Sequence, residues 1–174
     1  TDRLTPVLVS SLSEGVQSIS IAYFHGCAVT STGGAQCWGA NNSGQLGDGT
    51  TTAKLMPTTV NGLGSGVQDI NASTYHSCAL TTEGGVKCWG SNSHGQLGDG
   101  TVTTRLIPTT VSSLVSGVQA ITAGMYHSCV LTTAGGVQCW GSIGSGQLGD
   151  GTITSRLTPV SVSGESSGVL ASAP

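Results

Sequence analysis

The chain has 174 residues, a formal net charge of −3, 7% charged residues, 28 glycines and 6 cysteines. Five Lys and Arg in all are too few to grip a nucleic acid by neutralising its phosphates. So low a charge content also leaves little material for solvated amphipathic helices, and no apolar run approaches the ~20 residues of a helical membrane span.

The first element in chain order is "RLTPVLV" from Arg3. Because Thr1-Asp2-Arg3 aligns with Thr52-Ala53-Lys54, it reads as an outer strand without a sheet of its own. A tandem unit follows, marked by His25, His76 and His127 at a constant interval. Arg3, Lys54, Arg105 and Arg156 keep the same spacing, as do Pro6, Pro57, Pro108 and Pro159. The expected organisation is one repeat array over residues 1–174: repeats 3–53, 54–104 and 105–155, then a partial repeat 156–174.

Within the second repeat four strands are expected, at 67–72, 76–82, 86–91 and 106–111. Glu83-Gly84-Gly85 is a tight hairpin signal between the second and third. "SNSHGQLGDGT" is a long turn rich in Gly, Asn and Asp, and Pro108 near the start of the fourth strand suits an edge. Such a small sheet cannot cover both of its apolar faces, so it must pack on a neighbour. Radial stacking of four-stranded antiparallel sheets gives an all-β propeller. Three blades are expected here, open or completed by further repeats or by self-association. "RLTPVSV" from Arg156 would complete the third, and "GVLASAP" departs from "GVQAITA" where a next inner strand would begin.

In a hairpin centred on Glu83, Cys78 faces Cys88, Leu80 faces Val86 and Ser77 faces Trp89. Directly opposed Cβ atoms lie close enough for a disulfide. Cys27 with Cys37 and Cys129 with Cys139 occupy the same places, so one disulfide per blade is expected. Zinc is an alternative, because His76 and Cys78 point to one face with Cys88 across from them. A structural zinc site needs four ligands, however, and no fourth recurs with the period. A reduced, buried pair is the remaining alternative. A redox pair would call for Cys-x-x-Cys at a helix start. No cofactor or metal is expected.

His-x-x-Ala-Leu-Thr in the second strand, Trp-Gly in the third and then Gly-Gln-Leu-Gly-x-Gly resemble the regulator of chromosome condensation repeat. The resemblance covers essentially the whole chain and implies propeller blades, usually seven to a ring. It also implies an apolar residue at the Cys78 position and a similar histidine that binds no metal. The periodic histidines are accordingly expected to be core groups bonded to backbone within the blade, and Trp38, Trp89 and Trp140 to wedge between blades. His94 replaces Ser43 and Ser145 and reads as a solvated loop residue. The same loop only faintly resembles a calcium site, lacking the aspartate spacing and closing glutamate.

Paired cysteines and low lysine favour an oxidising, extracellular or cell-surface setting. Thr1 falls within a repeat, which suggests a mature or trimmed chain. The acidic residues do not recur as a converging acid–base pair; Asp48, Asp99 and Asp150 are one repeated turn position expected to bond its own loop. An enzyme is therefore not expected. Candidate binding residues are those that vary, or stay aromatic, before each histidine: Tyr23, Phe24, Thr74, Tyr75, Met125 and Tyr126, with 41–43, 92–94 and 143–145 as a second variable strip. The expected role is an extracellular protein-binding, display or adhesion scaffold. Two alternatives stand beside it: a secreted inhibitor resembling propeller-type β-lactamase inhibitors, through "SGVQDI" and the aromatic-His segment, and a filament of self-associating copies. The expected partner is a protein or another copy of the chain, with no nucleic acid and no membrane insertion.

Overall fold

The computed structural model describes residues 4–9, 11–12, 14–142 and 144–164. They form twelve strands and no helix. The first sheet holds β1 (Val16–Ile21), β2 (His25–Thr30), β3 (Ala35–Gly39) and β4 (Lys54–Thr59). The second holds β5 (Val67–Ala72), β6 (His76–Thr81), β7 (Val86–Gly90) and β8 (Arg105–Thr110). The third holds β9 (Val118–Ala123), β10 (His127–Thr132), β11 (Val137–Gly141) and β12 (Arg156–Ser161). Each is an antiparallel meander with its strands in chain order, a propeller blade.

The hairpin register is the one read from the sequence: Ser77 opposes Trp89, Cys78 opposes Cys88 and Leu80 opposes Val86. Disulfides join Cys27 to Cys37, Cys78 to Cys88 and Cys129 to Cys139. Each pair has its Cα atoms 4.1 Å apart, as close as the narrow pairs of an antiparallel ladder bring them. With the thiolates consumed, no set of three His, Cys, Asp or Glu side chains converges as a metal site among the described residues.

Two strand expectations need correcting. Pro57, Pro108 and Pro159 sit inside the outer strands rather than at their start. They are tolerated because the ladder to the third strand is irregular there: Cys88 pairs Thr109 and Gly90 pairs Arg105, which leaves the proline in the bulge without a ladder bond to donate. "RLTPVLV" forms no strand over residues 4–9. Its counterparts β8 and β12 pair with β7 and β11, whereas residues 4–9 join none of the described sheets and Leu4 and Leu8 stand exposed. The "GVLASAP" segment lies outside the described residues.

The blades pack face to face, with β5 lying against β1 and β2 and β9 against β5 and β6. The trailing face of a blade, carrying the disulfide, meets the leading face of the next. At the first seam Cys27, Val29, Cys37 and Leu46 of blade 1 enclose Val67, Ile70, Ala79 and Trp89 of blade 2. At the second, Cys78, Leu80, Cys88 and Leu97 enclose Val118, Ile121, Val130 and Trp140. Trp89 and Trp140 are fully buried wedges, and rings of this size dominate the burial energy of such a seam.

Candidate functional site

Polar groups set the seams in register. His25 and Ser77 lie on facing surfaces of neighbouring blades, with His25 Nε2 2.7 Å from Ser77 Oγ. The serine hydroxyl donates its proton to the Gln45 carbonyl oxygen at 2.8 Å, so it must accept from the ring, which places a ring hydrogen on Nε2. Trp89 Nε1 donates to the same carbonyl at 2.9 Å. The second seam repeats this with His76 and Ser128 at 2.8 Å and with Trp140 on the Gln96 carbonyl. His25 and His76 are thus buried as expected, while His127 is half-buried; the partner of the two buried rings is a serine hydroxyl across the seam rather than backbone within the blade. The reason is their face: His25 shares the disulfide side of β2, which looks at the next blade. Burial pushes the His25 pKa down to about 4 and, with like charge from His25 and His127 in addition, that of His76 to about 3.

At the rim where β2 and β3 begin and end, two loops of each blade are tied together. Ala40 N–H donates to the Phe24 carbonyl, Ser91 to Tyr75 and Ser142 to Tyr126. Gly90 makes this possible at φ 106°, where a Cβ would lie 2.7 Å from the Tyr75 carbonyl oxygen. The longer loop is internally braced. Asn92 Nδ2 donates to Asp99 and to Thr101, and its Oδ1 accepts from Leu97 N–H at 3.0 Å. Thr101 N–H and hydroxyl both bond Asp99, and Arg105 pairs with it at 2.8 Å. Burial works against the Asp99 charge, but hydrogen bonds from Thr101, Arg105 and Asn92 outweigh it and hold the carboxyl below its ordinary range. The repeated aspartate bonds its own loop, as its position suggested.

The ties place the candidate binding residues along one rim. Tyr23 is 84% exposed and Phe24 50%, their rings edge-to-face at 4.6 Å. Thr74 and Tyr75 are half-buried, Met125 and Tyr126 exposed. Tyr75 stacks on Tyr126 of the next blade, centroids 5.8 Å apart and planes within 16°. His94 is an exposed loop residue, as expected, and its ring lies 4.6 Å from that of Tyr126, which adds it to the aromatic strip. Its signal was its loop, which leaves the sheet at the bond from Ser91 to Tyr75. Tyr23 and Phe24 form a pair of their own, with no ring contact to the Tyr75, Tyr126 and His94 group. Position 143 of the second variable strip lies outside the described residues.

Three four-stranded blades with a tryptophan wedge and a histidine–serine clasp at each seam define a segment of a β-propeller whose aromatic turns share one rim. The chain belongs to the regulator of chromosome condensation (RCC1) repeat family, whose repeat matches at residues 16–45, 67–96 and 118–147, and in a second description at 33–80 and 83–131. It is 35% identical over 160 residues to the mitochondrial RCC1 domain-containing protein RUG3 of Arabidopsis thaliana, covering 90% of the chain and 36% of that protein. It is 32% identical to the ultraviolet-B receptor UVR8 of the same plant over 91% of the chain and 37% of the receptor. The human probable E3 ubiquitin-protein ligase HERC4 is 35% identical over 88% of the chain and 15% of the ligase. The chain therefore spans little more than a third of these relatives at most. Among solved structures, Prp20p of Saccharomyces cerevisiae superposes with a TM-score of 0.78 at 20% identity, over 94% of the chain and 42% of Prp20p. Human WBSCR16 superposes at 0.77 and 24% identity, over 88% and 39%. These two likenesses establish the fold.

Proposed function

We propose that the chain is a non-catalytic, extracellular or cell-surface scaffold that binds a protein partner along the aromatic rim. The observation that carries the reading is the continuous strip of Tyr75, Tyr126 and His94 across the second seam, flanked by exposed Met125 and by the Tyr23–Phe24 pair. Exposed aromatic rings on rigid turns are the residues that dominate protein interfaces, because they bury much area for little lost side-chain freedom. Protein binding also accords with yeast RCC1 (Prp20), whose solved structures record a complex with Kap60 and binding to Gsp1p and histones. An oxidising compartment is supported by the pairing of all six cysteines.

The test combines capture and compartment. The wild-type chain and the Tyr75→Ala/Tyr126→Ala variant are displayed to the surface proteins of the source cells. The expected result is one saturable partner lost by at least about tenfold in the variant, with the melting profile unchanged. Equal binding by both would overturn the rim assignment. Free alkylation of the cysteines in protein taken from its native setting without reductant would overturn the compartment.

A further inference from the structure

The leading faces of the three blades are not equivalent, and blade 1 departs from the other two at the cross-strand pair beside the clasp. Ala72 directly opposes Ser77 in blade 2 and Ala123 opposes Ser128 in blade 3. In blade 1 the same pair is Ile21 and Gly26. The small alanine leaves room for the serine hydroxyl, which takes the proton donated by the preceding blade's histidine and passes its own to the glutamine carbonyl. In blade 1 that room is filled: a Cβ on Gly26 would lie 2.8 Å from Ile21 Cδ1 and 2.9 Å from Trp38 Cζ2. Ile21 is 65% exposed and supplies no acceptor.

The trailing face of blade 3 presents the other half of the clasp. His127 is half-buried, Gln147 is exposed, and Cys129 and Val137 pack only partly against Cys139 and Leu148. Their counterparts His25, His76, Gln45 and Gln96 are buried under the next blade. What covers such a face is therefore shown twice within the molecule.

We propose that the pair at positions 21 and 26, and its equivalents, selects which neighbour a blade accepts, and that the trailing face of blade 3 docks a blade of the Ala/Ser type rather than blade 1 of a second copy. A copy docked head to tail would bring Ile21 against His127 Nε2 and bury a donor without an acceptor, which is costly. The mismatch lies at the clasp, where Ile21 and Gly26 stand in place of the alanine and serine. The leading face of blade 1 correspondingly suits a neighbour with an apolar side chain in the histidine position.

Sedimentation velocity on the full chain tests this. Ile21→Ala/Gly26→Ser converts blade 1 to the accepting type, and head-to-tail association is expected to tighten by at least about tenfold over wild type. Adding His127→Leu should abolish that gain. A double variant that melts like wild type yet associates no more tightly would overturn the proposal, as would a wild type that already associates equally tightly through His127. The converse change at an internal seam, Ala72→Ile/Ser77→Gly, gives a readout independent of association. It should lower the thermal midpoint and let His25 titrate nearer its ordinary range. Unchanged stability together with unchanged His25 titration would overturn the selection rule.

Discussion

The leading faces of blades 1 and 2 carry nearly the same apolar residues in very different surroundings. Val16, Ile19 and Leu55 are exposed to 40, 59 and 98%, whereas their equivalents Val67 and Ile70 are buried at 1 and 2% and Leu106 is partly covered. The residue pattern marks both faces as interior, and the neighbour decides which one becomes interior. Because each sheet covers only its neighbours, stability in such an array is close to a sum of seam contributions. Any substitution at a repeated position should therefore have an effect that depends on the blade carrying it.

The largest difference is expected at the tryptophans. Trp89→Ala removes a fully buried ring from the first seam and orphans the Gln45 carbonyl of one donor. A loss of about 3–5 kcal/mol is expected, from cavity and transfer effects together. Trp38 occupies the same strand position on the open face and is only partly buried; Trp38→Ala should cost about 1 kcal/mol or less. Denaturant unfolding of the two variants checks this. Equal losses would mean that the ring matters within its own blade and not between blades.

The seam histidines come next. Their pKa values in the folded chain, about 4 for His25 and about 3 for His76, lie below the ordinary 6.5, so the unfolded chain binds more protons in between. Stability is then fully present above about pH 6.5 and falls as pH drops below it, until the folded values are reached. At pH 5 each histidine should have removed about 2 kcal/mol relative to pH 7 or above. Asp48, Asp99 and Asp150 are held below the usual carboxylate range, so their contribution is lost only at lower pH and does not confuse the window. Denaturant midpoints at pH 7 and pH 5, with ring titration of His25 and His76, supply the measurement. No change between these pH values would show the clasp to be open to water.

What the sequence revealed followed physical locality. The hairpin register and the disulfides depend on a tight turn and the alternation of one strand pair, so they were legible from 76–90 alone. The aromatic turns were legible because they vary beside an invariant histidine. The clasp was not: Ser77 is an ordinary strand residue until the next-blade geometry sets it beside His25, and the only trace was its replacement by Gly26 in the first repeat. His94 fell in the second variable strip, but its contact with Tyr126 was not legible for the same reason, since it crosses a seam. "RLTPVLV" is the converse case, a strand expected from its own residues that pairs with no strand among the described residues.

The smallest effect separates the long loops. In blades 1 and 2, buried Asn41 and Asn92 brace the loop, each accepting the N–H of the buried leucine that anchors it, Leu46 or Leu97. The third repeat has isoleucine at 143, which offers no such acceptor. There Ser145 N–H bonds Gln147 Oε1 at 2.8 Å, as Ser43 and His94 bond Gln45 and Gln96, but Gly144 N–H joins it at 3.0 Å, and Gln147 is exposed where Gln45 and Gln96 are buried. Asn92→Ile should therefore cost about 1–2 kcal/mol, the range for stranding one buried amide and losing a brace. It should also speed hydrogen exchange at Leu97 and Thr101 without altering the strands. Ile143→Asn should do the reverse at Leu148, slowing its exchange and raising stability by about 1 kcal/mol or less. The two changes are mirror images at one repeated position, so opposite signs are required. Faster exchange at Leu148 in Ile143→Asn would show that the third loop has a different brace, and that the difference between the blades lies in more than this one residue.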